Sequence, residues 1–162
     1  NAYEVFAKKY EVDTELAKQQ MSPLEHKARE MGVVIDYSKV QSTNTLLAHK
    51  IAKAYEHLTH KSDIHLALYK AYFEKGYNLS DEKDLLKVVL ELGLSEKDFK
   101  EMLSDSSTRV ACLNDFKQNQ ERQIQGVPQI YTSSKRLIKG LVEEAVLRDQ
   151  LVQTYLKSME GK

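Results

Sequence analysis

The sequence predicts a mostly α fold with a small β component, on three observations. Glycine and proline number only 6 and 2 in 162 residues, while Ala, Leu, Glu, Lys and Gln dominate, which is the composition of many helices joined by short turns. Apolar residues recur at spacings of three and four along most of the chain, the period of an amphipathic helix. After Gly126 that period gives way to two short β-type runs, 127–131 and 136–138, separated by the turn-forming Thr132-Ser133-Ser134-Lys135.

The elements follow in order. A first short helix is expected from residue 2 to about 10, where Tyr3, Phe6 and Tyr10 share one side. Asp13 or Thr14 caps a second helix that reaches about Met31 and stops at Gly32. Pro23 lies inside it, and Ser22-Pro23-Leu24-Glu25 has the form of a capping box with proline at the first helical position, so the helix either kinks or restarts there, and a kinked helix is expected. Val33-Val34-Ile35 reads as a short strand or an extended link.

Ser42-Thr43-Asn44 offers caps for a helix over 45–60, with Leu47, Ile51, Ala54, Tyr55 and Leu58 as its apolar stripe. Beyond the turn Lys61-Ser62-Asp63 a helix over 64–75, closed by Gly76, carries Leu66, Leu68, Tyr69, Tyr72 and Phe73. Asn78-Leu79-Ser80-Asp81 opens the next, which Gly93 ends. Ser95, with Asp98 three residues on, starts a short helix to about Leu103.

A long polar helix is expected over 106–125, its sparse apolar positions being Val110, Leu113, Phe116 and Ile124. After Gly140 an amphipathic helix over 141–159 closes the chain through Val142, Ala145, Val146, Leu151, Val152 and Leu156. No fixed repeat is visible, which argues against a solenoid. The hairpin cannot be a stable sheet alone and needs a partner strand or helical cover.

Composition narrows function. Lys plus Arg and Asp plus Glu each number 24, so no net charge draws the chain to a polyanion and nucleic acid is not an expected partner. The longest apolar runs fall far short of the roughly 20 residues that cross a bilayer. Cys112 is the only cysteine, so no intrachain disulfide is possible and a cytoplasmic setting is expected.

The candidate chemical residues are few. Cys112 lies among Arg109, Asp115 and Lys117, where a base or a helix start would activate a thiol, but a small hydrophobe on a buried face is the expected reading. His57, His60 and His65 invite a metal, yet zinc sites combine closer motifs with cysteine or carboxylate ligands. They are expected to be solvated histidines near a helix C-terminus. His49 is expected to pack or cap rather than to move protons. Tyr69, Tyr72, Phe73 and Tyr77 are expected in the core or at its rim, with a peptide groove as the alternative.

Gly126-Val127-Pro128-Gln129-Ile130-Tyr131, at the exit of a long helix and the start of a hairpin, resembles the Gly-Val-Pro strand entry of the thioredoxin superfamily. Asn44-Thr45-Leu46-Leu47-Ala48-His49 resembles the Asn-Thr/Ser-x-x-Ala-His helix start of DsbA/FrnE-like proteins. Ala71-Tyr72-Phe73 with Gly76, and Leu90-Glu91-Leu92-Gly93-Leu94, resemble the helical insertion that follows it in that family. The resemblance runs from about residue 3 to 156, with the motifs in the family's order.

The resemblance implies a thiol-disulfide oxidoreductase whose thioredoxin fold is interrupted by a helical domain. Residues 1–2 then read as left from expression, 3–125 as a mainly helical insertion domain, and 126–162 as a C-terminal thioredoxin-like ββα portion. The family's Cys-x-x-Cys would lie upstream of Tyr3, so the chain is expected to be catalytically incomplete, with no catalytic residue, cofactor or metal of its own. Pro128 would be cis, with Val127 and Pro128 binding an extended substrate. An X-Pro bond costs only about 0.5 to 1 kcal/mol to hold cis, against about 2.5 to 4 for other residues. A trans proline opening an edge strand is the plainer alternative.

The implied partners are protein or peptide thiols and disulfides, with a homodimer through the incomplete sheet as a further expectation. Two alternatives stay open. One is a glutathione-dependent kappa-type transferase or 2-hydroxychromene-2-carboxylate isomerase, which would carry serine in place of the first cysteine. The other is a non-catalytic helical protein-binding module.

Overall fold

Side-chain caps set where most of the helices begin. The computed structural model describes residues 1–131 and 136–160, with backbone alone for 136, 137 and 160. In chain order these form α1 (Ala2–Tyr10), α2 (Thr14–Glu30), α3 (Leu46–Thr59), α4 (Asp63–Phe73), α5 (Glu82–Glu91), α6 (Glu96–Ser104), α7 (Ser106–Glu121), β1 (Gln129–Tyr131), β2 (Arg136–Lys139) and α8 (Glu144–Glu160). The chain divides into two compact units, Asn1–Leu113 and Asn114–Lys162. The division falls inside α7, whereas the sequence places a change of character at Gly126.

Asp13 Oδ1 accepts from Leu16 N–H at 2.7 Å, Asn44 Oδ1 from Leu46 N–H at 2.9 Å, and Asp81 Oδ1 from Lys83 N–H at 2.7 Å. Each satisfies a donor that the first helical turn leaves without an intrahelical partner. Ser95 and Asp98 close a reciprocal box at the start of α6, with Ser95 N–H donating to Asp98 Oδ2 at 2.7 Å.

α2 runs as one helix through Pro23, so of the two outcomes the sequence offers the restart does not occur. The box is not formed because Glu25 is engaged elsewhere: its Oε1 accepts the Tyr3 hydroxyl at 2.8 Å and Tyr37 N–H at 2.7 Å. Pro23 has no N–H for the Gln19 carbonyl four residues back. The Ser22 hydroxyl, 3.5 Å from that carbonyl, donates to it instead. Val33-Val34-Ile35 forms a link rather than a strand, with Val33 N–H on the Ala28 carbonyl.

The core of the first unit is built by α3, α4, α5 and α6 around Ile51, Tyr55, Ile64, Leu85, Val88, Val89, Phe99 and Met102, all buried. Burying the Tyr55 ring is possible because its hydroxyl donates to Asp63 Oδ1 at 2.8 Å. Three residues expected on apolar stripes face outward instead: Leu58, Leu66 and Tyr69 are exposed. α1 packs on α2.

In α7 the buried positions are Thr108 and Cys112, one turn apart, while Val110, Leu113 and Phe116 are exposed. The fully buried Thr108 hydroxyl donates to the Asp105 carbonyl at 2.8 Å. α7 stops at Glu121 rather than 125, because Gln123 turns left-handed at φ 53° and Ile124 N–H bonds back to the Asn119 carbonyl.

In the second unit β1 and β2 pair antiparallel, Gln129 opposite Lys139 and Ile130 opposite Ile138, with a register shift before Tyr131 opposite Arg136. The expected turn 132–135 lies outside the described residues. α8 begins at Glu144 and leaves Leu141 outside the helix. Its expected stripe is not covered: Val146, Leu151, Val152 and Leu156 are all exposed. Among the described residues no helix is long and apolar enough to cross a membrane.

Candidate functional site

The entry to the hairpin is held at both ends of a short exposed segment. Gly126 follows the left-handed end of α7, and its carbonyl accepts the Gln129 side-chain amide at 2.8 Å. The Pro128 carbonyl accepts Gly140 N–H at 2.8 Å, which ties the start of β1 to the end of β2. Between these two anchors the Val127-Pro128 peptide is cis. Val127 is 85% exposed, and among the described residues no hydrogen bond uses its N–H or its carbonyl.

The neighbouring side chains fix the strand rather than close over it. The Tyr131 hydroxyl donates to Gln129 Oε1 at 3.0 Å, as side chains two apart on one face of a strand can. The Arg122 guanidinium lies 5.2 Å from the Tyr131 ring centre, within cation–π range. Among the described residues of the hairpin Ile138 is the buried one. The site therefore presents one residue's backbone donor and acceptor to solvent from an otherwise fastened backbone, a geometry suited to an added extended segment.

The other sequence candidates lie apart from this arrangement. Cys112 is buried on α7 in the first unit, as expected for it. His57 and His60 are exposed, His60 ending α3 in a left-handed conformation. His65 Nε2 pairs with Glu56 Oε1 at 2.8 Å. His49 neither caps nor packs: it is exposed at the mouth of a cleft between α3 and α4. Tyr72 and Tyr77 sit half-buried at the rim of the core, and Phe73 is half-buried against the Tyr72 ring.

Two features of the site escape sequence reasoning, the Gln129 side chain on Gly126 and the Gly140 amide on Pro128. Both are bonds to backbone carbonyls, which no residue pattern announces. Gly140, read only as the end of the hairpin, is the one visible signal.

The family model of the DSBA-like thioredoxin domain matches residues 6–152. Among solved structures the chain is similar to a probable DsbA oxidoreductase from Streptomyces coelicolor, with a TM-score of 0.70 at 17% identity over 78% of this chain. At that identity the likeness shows a shared fold, a thioredoxin fold carrying a helical insertion. The chain spans 55% of the length of that structure. No curated protein matches it. The family match takes in both compact units, and the chain belongs to the DSBA-like thioredoxin domain family.

Proposed function

We propose that the chain serves protein thiol-disulfide exchange as part of a FrnE-like member of this family, with Val127 and Pro128 receiving an extended segment of a protein or peptide substrate. The observation that carries this reading is Val127, 85% exposed just before β1 with both backbone groups unengaged among the described residues. A substrate segment laid beside it exchanges hydrogen bonds with the Val127 N–H and carbonyl as an added strand does.

Exchange itself needs sulfur. A thiolate attacks one sulfur of a substrate disulfide and releases the other as a thiolate, and a second cysteine then displaces the substrate from the mixed disulfide. Cys112 is the chain's only cysteine and it is buried. The reading therefore assigns the dithiol to polypeptide outside these 162 residues and makes the chain inactive alone. The reading keeps the cytoplasmic setting, since within these 162 residues no structural disulfide calls for an oxidising compartment. The two-stranded hairpin leaves strand edges that a second copy can pair with. Sedimentation tests that dimer, and a strict monomer at all concentrations counts against it.

Insulin reduction by the product of the complete gene tests the reading as a whole. Turnover that depends on an upstream Cys-x-x-Cys supports it. A product that carries such a pair and gives no turnover overturns it, and a serine in place of the first cysteine selects the glutathione-dependent alternative.

A further inference from the structure

The Gly126 carbonyl and the Val127 N–H are opposite edges of one peptide. That peptide is trans, since the cis bond among the described residues is the next one, Val127-Pro128. A trans peptide is planar, with its C=O and N–H pointing in opposite directions. Whatever fixes the direction of the Gly126 carbonyl therefore also aims the Val127 donor. Packing does not fix it, because Gly126, Val127 and Pro128 are all exposed. Among the described residues no backbone N–H donates to that carbonyl. The Gln129 side chain does, from Nε2 at 2.8 Å.

The Gln129 amide is itself held. A carbonyl oxygen only accepts, so the nitrogen of the amide must face Gly126, which leaves its oxygen toward Tyr131. There the Tyr131 hydroxyl donates to Oε1 at 3.0 Å. The Arg122 guanidinium, just beyond the end of α7, lies 5.2 Å from the centre of the Tyr131 ring and steadies it. Arg122, Tyr131 and Gln129 thus form a row that ends on the back of the peptide whose front edge is the unengaged donor. Accepting a hydrogen bond at the carbonyl also polarises the peptide, which strengthens its N–H as a donor.

We propose that Gln129 is a positioning residue for substrate docking, aiming and polarising the Val127 N–H while Tyr131 and Arg122 hold its amide in place. It acts through the Val127 backbone rather than by touching the substrate. The proposal rests on the reading that Val127 receives an extended substrate segment, and it names the side chains that prepare that backbone. Preorganisation of this kind shows in substrate affinity, whereas a mere brace of the hairpin shows in stability.

The test is insulin reduction by the product of the complete gene, in the parent and in Gln129→Met, Gln129→Lys and Tyr131→Phe. Methionine keeps the length of the side chain and removes the donor, and lysine returns an N–H donor. Gln129→Met is expected to raise KM about fivefold, the worth of one neutral hydrogen bond. Its kcat is expected to stay within about twofold of the parent's, because a docking bond made both before and during exchange acts on binding alone. Gln129→Lys is expected to bring KM back to within about twofold of the parent, and Tyr131→Phe, which frees the amide to turn, to raise it about twofold. A KM unmoved by Gln129→Met overturns the proposal, as does an equal rise in Gln129→Met and Gln129→Lys, or a loss confined to kcat. Where Gln129→Met fails to fold, Tyr131→Phe decides, and a KM equal to the parent's overturns the proposal. In each of these outcomes the parent still reduces insulin and the exchange reading stands. A parent that gives no turnover overturns that reading and this inference with it.

Discussion

The Tyr3 hydroxyl donates to Glu25 Oε1 at 2.8 Å across 22 residues of sequence, and the same oxygen accepts Tyr37 N–H at 2.7 Å. One carboxylate thus fastens α1, α2 and the link that follows α2. Glu25→Ala strands both donors in a partly buried place, and the expected loss is about 2 kcal/mol. Glu25→Gln keeps an oxygen acceptor and costs about 1 kcal/mol, the charge-assisted part of the bond. Urea unfolding measures both. Equal midpoints for the parent and Glu25→Ala would show that this junction carries no stability.

The same junction gives a dependence on alkaline pH. Burial, followed by the hydrogen bond to Glu25, pushes the Tyr3 phenol from 10.0 up to about 12. Tyr37 and Tyr55 are also raised, burial being the largest cause in each. The folded state favours the neutral phenol, so the contribution is whole below the unfolded pKa and is lost as pH rises through the folded one. The melting temperature is expected to fall between pH 10 and about 12, less steeply in Tyr3→Phe. Parallel profiles for the two proteins would place the alkaline loss elsewhere.

Gly76 sits at φ +70°, where a Cβ would stand 2.8 Å from the Lys39 carbonyl oxygen. Gly76→Ala meets both the left-handed penalty of about 1 to 2 kcal/mol and an overlap with backbone that cannot rotate away. Gly32 is also left-handed, at φ +77°, but has open space around it. The expected order is a loss of more than about 2 kcal/mol at Gly76 and about 1 kcal/mol for Gly32→Ala. Thermal unfolding of the two variants checks it, and similar losses would deny the contact with Lys39.

Local signals were legible where the residues that make them act locally. Ser95 with Asp98, Asp81 before α5 and Asn44 before α3 all cap the helices their patterns announce. Signals that depend on distant partners were not. Ser22-Pro23-Leu24-Glu25 reads as a helix start, but Glu25 is taken by Tyr3 and Tyr37, and the Ser22 hydroxyl serves the carbonyl that Pro23 leaves open. Hydrophobicity misplaces the buried face of α7, because that face carries Thr108, satisfied by the Asp105 carbonyl, and Cys112. The apolar residues of α8 set a helical period yet stand exposed, since period alone does not say what an apolar face meets. At the candidate site the Gly-Val-Pro segment was visible in sequence, whereas the two bonds that fasten Gly126 and Pro128 arise only on folding.

The direct measurement is amide hydrogen exchange at Val127 in the product of the complete gene, with and without thiol-free, carboxymethylated insulin B chain. An extended segment docked on the unengaged Val127 N–H and carbonyl predicts at least about tenfold slower exchange there on saturation, with the Gly140 amide, already bonded to Pro128, unchanged. Exchange at Val127 that stays at its free rate while the B chain is bound would contradict the assignment of this backbone as the substrate's docking strand.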